Sequence, residues 1–561
     1  MDRLGPLDAV FVDAEDESRN TSMAIASIAV FEGPVPAHEE VLAGVAARLP
    51  LLTRYRQKLQ PVPFRLGRPV WVDDPDFDLS YHIRRISLPK PGRDQQLAQL
   101  MGRVMSARLD RDHPLWEYWV VEGLARDRWA LISKVHHCMV DGVSGADLYR
   151  VLMEPLPEPP QPAAGMPADQ PPSAASLIAQ AAADMAMLPV RDVRALSGAV
   201  TNPGQAIRQA AGVARAMVRF SPSLWPAVGS SLSGNIGQQR RYTWARASLQ
   251  DVKTIKRVFG GTVNDVVLAA ISSGFRALLL DRGEQPEPHE VPSLVPVSVR
   301  APGDEGSLGN QVSATVADLP VHIADPVERL AAVRSELDSL KASNEAMIGQ
   351  ALVSLGRYSL YPLVSYVVRL AFSLPQREIV TVTTNVPGPR EPLSWMGRQL
   401  EEIIPYVPIA GTVRTGISIF SYGDKIAFGI TGDYAANPDL DILARGIEHG
   451  VAELLLAAGR KTTPAAATRK TAPAGRKMAP SAGRKTTPAA VGRKTAPAGR
   501  EATPAAAGRK TAPAAAGRKT TPAAAGRKTT PAAAGRKAAA ASAGEDRPRR
   551  SRKAPARGQA G

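Results

Sequence analysis

Residues 129–142 read Trp129-Ala130-Leu131-Ile132-Ser133-Lys134-Val135-His136-His137-Cys138-Met139-Val140-Asp141-Gly142, and the rest of the chain is best read outward from them. The run from Trp129 to Val135 is apolar and short, a length that suits a buried strand rather than a helix. It delivers the chain directly to two adjacent histidines. Beyond Gly142, Ser144 is placed to cap a helix whose Leu148, Val151 and Leu152 share one face. Strand, histidine-bearing loop and helix together predict an α/β fold with its chemistry in the loop.

On the N-terminal side, Thr21 to Phe31 predicts a strand. Glu39 to Leu49 predicts a helix with Val41, Val45 and Leu49 on one face. Residues 1–153 therefore form a first α/β lobe. Proline then becomes dense from Pro155 to Pro172, removing backbone donors and stopping helices. Residues 154–241 read as a linker with Ala-rich helical stretches. Within it, the basic-apolar segment 206–225 carries Arg208, Arg215 and Arg219, and suits either a packed connecting helix or a surface lying on lipid.

A second α/β lobe spans 242–458. Asn264 to Leu280 predicts a helix with Val267, Ile271, Phe275 and Leu278 on one face, stopped at Gly283. Val291 to Val299 and Ile379 to Asn385 predict buried strands. Gly416 to Tyr422 and Lys425 to Thr431 flank Gly423-Asp424, a hairpin signal.

The formal net charge is +16 over 561 residues, a value that suggests nucleic acid until the charge is located. Residues 459–561 hold 25 Lys and Arg against three acids (Glu501, Glu545, Asp546), a net of +22. The first 458 residues keep 44 Lys and Arg against 50 acids, a net of −6. The body and the tail need separate explanations. The tail repeats Gly-Arg-Lys, at nine-residue spacing from Gly508 through Gly517 and Gly526 to Gly535, among Thr, Pro and Ala. With almost no large apolar residues it cannot offset its ordering entropy, so it is expected to be disordered. Its evenly spaced Arg-Lys pairs suit DNA, RNA or anionic lipid without reading sequence, or else make a solubilising spacer.

The lone cysteine, Cys138, excludes a disulfide within the chain and fits a reducing compartment. The opening MDRLGPLDAVFVDAEDES lacks the basic-then-apolar layout of a signal peptide. No uncharged apolar run reaches the roughly 18 residues of a spanning helix. Ser359 to Leu374 comes nearest and is broken by Pro362 and Arg369. The expected location is cytoplasmic, peripheral to the inner face of the membrane or to lipid droplets.

The pair His136-His137, followed at fixed spacing by Asp141 and Gly142, fits acyl transfer. An alcohol attacks poorly until a base takes its proton, and imidazole titrates near operating pH. A carboxylate four residues on braces the loop or pairs with an arginine, and Gly142 permits a turn that other residues resist. Three other readings remain beside this one. As zinc ligands the histidines lack a third and fourth partner at suitable spacing, so no metal is expected. Cys138 as a nucleophile is disfavoured, because neighbours in an extended segment point to opposite faces, which makes it a small buried filler. A purely structural pair is the third. His82, His113, His289, His322 and His449 have no comparable context.

These residues resemble the bacterial wax ester synthase/diacylglycerol acyltransferase family, whose members carry HHxxxDG. The resemblance runs from about Leu7 to Ala458. It includes Pro114-Leu115-Trp116, Asn264-Asp265-Val266-Val267, Pro296-Val297-Ser298-Val299-Arg300, Ser307-Leu308-Gly309-Asn310 and Thr384-Asn385-Val386-Pro387-Gly388-Pro389. It implies a two-lobed fold similar to chloramphenicol acetyltransferase and condensation domains, plus the disordered tail. Acyl-CoA, as substrate and not cofactor, and diacylglycerol or a long-chain alcohol would meet at His137, the general base. The resemblance makes His136 its support and Asp141 a structural carboxylate with Arg300 as its partner. Trp116 and Asn264 would line or shape the channel, packing and helix capping being equal alternatives. Two rivals stay open: the same fold acylating a glycolipid, polyketide or amine acceptor, and an inactive body tethering lipid surfaces to nucleic acid through the tail.

Overall fold

The computed structural model describes residues 2–139, 152–153, 172–186, 231–298, 312–342 and 379–462. Asp141, Gly142, Arg300, Ser307 to Asn310, most of the Pro/Ala-rich linker, the segments 206–225 and 359–374, and the tail beyond residue 462 lie outside the described residues.

Two six-stranded sheets carry the chain. The first runs in the order β11 (Ser394–Trp395), β12 (Arg398–Tyr406), β1 (Ala24–Glu32), β6 (Arg128–His136), β5 (Trp116–Leu124), β4 (Ile83–Ser87). β6 is buried at every position after Arg128. Covered on both faces, it shows the largely apolar run quoted above, interrupted by Ser133 and Lys134 and without strict alternation. It pairs antiparallel with β1 from Ala24 opposite His136 to Glu32 opposite Arg128. The second sheet runs β7 (Arg240–Ser248), β14 (Lys425–Asp433), β13 (Thr415–Tyr422), β10 (Thr381–Val386), β8 (Val291–Ser298), β9 (Val312–Leu319). A two-stranded ribbon, β2 (Gln57–Gln60) with β3 (Val70–Asp73), stands apart.

β11 and β12 correct the boundary of the second lobe. They lie inside 242–458, yet complete the first sheet, β12 pairing antiparallel with β1 from Ala26–Tyr406 to Phe31–Leu400. Local patterning signals a strand but does not say which sheet receives it. The exchange brings β12 against β14 so closely that a Cβ on Gly429 would stand 1.6 Å from the Pro405 carbonyl oxygen. Tyr242 donates its hydroxyl to that same oxygen at 2.6 Å. Nearby, Arg246 grips Glu402 with two hydrogen bonds of 2.8 and 2.7 Å, a bidentate pair across the lobes.

Among the described residues the helices in chain order are α1 (Pro6–Glu17), α2 (His38–Ala46), α3 (Leu79–His82), α4 (Asp94–Ser106), α5 (Ala174–Ala186), α6 (Leu249–Phe259), α7 (Val263–Asp281), α8 (Pro326–Ala342) and α9 (Leu440–Thr462). α7 is long and apolar enough to cross a membrane, but most of it is buried among α9 and the second sheet. Its composition is that of a core helix. α9 runs to Thr462, so residues 459–462, assigned above to the tail, continue the helix over buried Leu454 and Ala458.

Candidate active site

The histidine pair stands where β6 ends, and the residues that lead into both neighbouring strands hold its main chain. His136 N–H donates to Leu115 O at 2.9 Å, and His137 N–H donates to Met23 O at 3.0 Å. The Pro114-Leu115-Trp116 motif thus serves the site through the Leu115 carbonyl. Trp116 itself is fully buried, stacked on His82 at 4.4 Å, with its indole N–H donating to Tyr55 O at 2.9 Å. Among the described residues Trp116 is thus a packed side chain, the packing alternative given for it above.

After His136 the backbone turns into a 3₁₀ segment, His137 to Met139. This departs from the extended geometry assumed for Cys138, and it swings the thiol to 2.9 Å from His136 Nδ1. Cys138 is buried as expected, but it is a partner of His136 and not an idle filler. Burial pushes its thiol pKa well above the ordinary value, with Asp8 adding to the effect, so the neutral thiol persists and thiolate nucleophilicity is suppressed.

α1 supplies what the sequence reading missed. Phe11 stacks on the His137 ring, centroids 3.9 Å apart. One turn on, Glu15 is 2% exposed and uses both oxygens. Oε1 accepts Met23 N–H at 3.1 Å, while Oε2 accepts from Arg111 at 2.8 Å and stands 3.4 Å from His136 Nε2. Burial alone would raise the Glu15 pKa, but His136 and Arg111 together outweigh it and hold it at about 2. Three acids of α1, Asp8, Asp13 and Glu15, are buried. Their spacing among Ala9, Val10, Phe11, Val12 and Ala14 was the available signal, since buried acids interleaved with apolar residues need partners.

The exit of α4 fixes α1 from the other side. Arg108 donates to Thr21 O at 2.9 Å and Glu15 O at 2.6 Å, and also reaches Ser18 O. Lys134, two residues before His136, is fully buried and donates to Val104 O at 3.0 Å and Ala107 O at 2.8 Å. It ties β6 to the carbonyls at the end of α4, satisfying groups that a helix terminus leaves open.

Burial pulls the His137 imidazole down to about 4, with His136 acting in the same direction. At neutral pH the ring is uncharged and its lone pair is available. A base of this kind takes a proton from a hydroxyl as the oxygen attacks, without a covalent intermediate on the protein. Asn264 meets Asn385 and not the histidines: Asn385 Nδ2 donates to Asn264 Oδ1 at 3.2 Å, joining the start of α7 to the end of β10. Nor does Asn264 cap its helix. Thr262 does, in a capping box with Asp265. A cavity of about 760 Å³ opens between the lobes, walled by Arg103 and Ser106 of α4 and by Arg240 and Trp244 of β7, and its lining does not include the histidine pair.

Residues 4–267 match the wax ester synthase/diacylglycerol acyltransferase catalytic domain, and residues 308–455 match the WS/DGAT C-terminal domain. A Mycobacterium tuberculosis (strain H37Rv) protein named probable diacylglycerol O-acyltransferase tgs1 is 40% identical over 469 residues, covering 82% of this chain and 97% of that one. A second protein of that strain, named for the same activity, is 34% identical over 457 residues, covering 81% and 91%. Among solved structures, the wax ester synthase/diacylglycerol acyltransferase of Marinobacter aquaeolei VT8 superposes with a TM-score of 0.55 at 27% identity, covering 82% of this chain and all of that one. The trichothecene 15-O-acetyltransferase of Fusarium sporotrichioides, at 14% identity and a TM-score of 0.51 over 81% and 94% of the two chains, shares the fold. A histidine pair at the end of a central strand, in two lobes that exchange a strand, thus sits in a chain matched along most of its body: this protein belongs to the wax ester synthase/diacylglycerol acyltransferase family of acyltransferases.

Proposed function

We propose that this protein transfers a long-chain fatty acyl group from acyl-CoA to diacylglycerol, and to long-chain alcohols, with His137 as general base. The observation that carries the reading is the place of His137: its main chain is held to Met23 where the central strand ends, and its ring is stacked on Phe11, where burial keeps it uncharged at neutral pH. The 40% identity to a relative named for diacylglycerol acylation, across 97% of its length, supports the acceptor. As the acceptor oxygen attacks the thioester carbonyl, His137 takes the hydroxyl proton and a C–O bond forms. The tetrahedral intermediate then collapses, the C–S bond breaks, and the imidazolium returns the proton to the departing CoA sulfur. Ester and free CoA leave, and the histidine is neutral again. Asp141 braces the loop, with Arg300 as its proposed partner.

The test is incubation of purified protein with labelled palmitoyl-CoA and diacylglycerol, hexadecanol or no acceptor, followed by lipid separation. Labelled triacylglycerol supports the reading. Transfer only to a glycolipid, polyketide or amine acceptor replaces the acceptor class, and no transfer to any acceptor leaves the tethering function.

The acceptors reside in bilayers, which supports a peripheral location on the cytoplasmic face of the membrane or on lipid droplets. Release from membranes by carbonate or high salt is the expected behaviour; complete resistance, or clean recovery in the soluble fraction, overturns it. The +22 tail supports an attachment to DNA, RNA or anionic lipid, independent of the acyl-transfer site.

A further inference from the structure

We infer that Glu15 is a positioning residue for the histidine pair, fixing the tautomer of His136 directly and the place of His137 through the Met23 peptide. Its kinetic consequence rests on the acyl-transfer reading, but its geometry does not.

An ionised carboxylate only accepts hydrogen bonds. With Glu15 Oε2 3.4 Å from His136 Nε2, that nitrogen carries the proton, and in the neutral ring the lone pair falls on Nδ1. The Cys138 amide agrees, since it donates to Nδ1 at 3.2 Å, and with that tautomer the Cys138 thiol, 2.9 Å from the same nitrogen, donates as well. The carboxylate on one side of the ring and the Cys138 amide on the other favour the same tautomer and ring orientation. The other carboxylate oxygen accepts the Met23 N–H, and the carbonyl of Met23 in turn accepts the His137 N–H. One buried side chain therefore touches the supports of both histidines. Arg111, shared between Glu15 at 2.8 Å and Asp16 at 2.6 Å, balances its charge.

Glu15→Gln keeps the shape and breaks the logic. A glutamine carbonyl can serve the Met23 N–H, or it can serve Arg111 and His136, and the amide NH₂ then faces a donor on the other side. Glu15→Asp keeps the charge at shorter reach. Asp16→Asn disturbs Arg111 without touching His136.

The experiment uses the full chain with palmitoyl-CoA and diacylglycerol. Glu15→Gln is expected to lower kcat on the order of 10–100-fold, with KM for acyl-CoA within about threefold, in protein that stays folded at the assay temperature although its melting temperature falls. Glu15→Asp restores part of kcat, and Asp16→Asn stays near wild type. A second arm needs no turnover: carbethoxylation of His136 by diethylpyrocarbonate, read by peptide mass, is faster in Glu15→Gln because the ring is no longer held. Wild-type kcat and wild-type His136 modification in Glu15→Gln overturn the inference. So does Asp16→Asn matching Glu15→Gln in both arms, which reduces Glu15 to one half of an ion pair. A wild-type protein that acylates nothing refutes the proposed function, and the modification arm alone then decides Glu15.

Discussion

Phe11 lies almost parallel to His137, its ring 3.9 Å from the imidazole and tilted by 26°. The residue proposed to move a proton is thus faced on one side by a surface that cannot hydrogen-bond. Burial is the leading cause of its lowered pKa, so thinning this cover has a defined direction. Phe11→Ala is expected to raise the acid limb of the kcat/KM profile by the order of one pH unit, back toward the ordinary histidine value. An unmoved limb in a folded variant would show that the stacked ring contributes nothing to the shift.

His137→Ala is expected to cost about 10²–10⁴-fold in ester formation while the fold survives. His136→Ala costs less, and Asp141→Ala lowers both activity and melting temperature. A folded His137→Ala enzyme that keeps more than about a tenth of wild-type turnover contradicts the general-base assignment.

Two groups of the site make the fold sensitive to acid, in separate windows. His137 sits at about 4 against an ordinary 6.5, so the unfolded chain takes up a proton first and stability falls as pH drops from 6.5 to 4. Glu15 sits at about 2 against 4.5, so its contribution is complete above 4.5 and is lost as pH falls through 2. Each pKa unit corresponds to about 1.4 kcal/mol. Denaturant midpoints measured from pH 7 to 2 should decline through both windows. His137→Ala should flatten the upper one and Glu15→Gln the lower; if neither variant alters the profile, other groups govern acid stability.

Gly429→Ala places a methyl 1.6 Å from the Pro405 oxygen, in backbone that has no flexible end to yield. We expect a loss of several kcal/mol, at the upper end of single substitutions, seen as a marked fall in melting temperature. A near-neutral effect would mean that β12 and β14 are separable without cost.

A chain ending at Thr462, where α9 stops, should keep acyl transfer to dispersed substrates and lose binding to DNA and to anionic vesicles. The residues removed, 463–561, carry a net +20 and release counterions from a polyanion, while the remaining chain of net −4 is repelled. On DNA the log affinity of the full chain should fall with log salt by about 0.9 per phosphate neutralised. Equal binding by both forms, or binding indifferent to salt, leaves the tail as a spacer.

The central strand and the histidine pair were legible because the signals are local: an apolar run of strand length, then an improbable polar pair. The α7 helix and the β13–β14 hairpin were legible for the same reason. Glu15 was not, because an acid in an amphipathic helix looks like a solvated residue until its neighbours in space are known. Trp116 and Asn264 stood in recognisable motifs, but the motifs did not say which group acts. At 115 it is the carbonyl, and at 264 an amide partnered by Asn385.

β1 and β12 also bear on how the protein is made. Ala26 leaves the ribosome early, but its partner Tyr406 is among the last residues of the body to be translated. Throughout that interval one side of a future interior strand is an open edge, a template for adhesion between nascent chains. Pairings of such long sequence separation also close slowly. Cells expressing the first lobe alone should therefore accumulate aggregates and not half an enzyme, and the complete chain should depend on chaperones until the last third of its body has been synthesised.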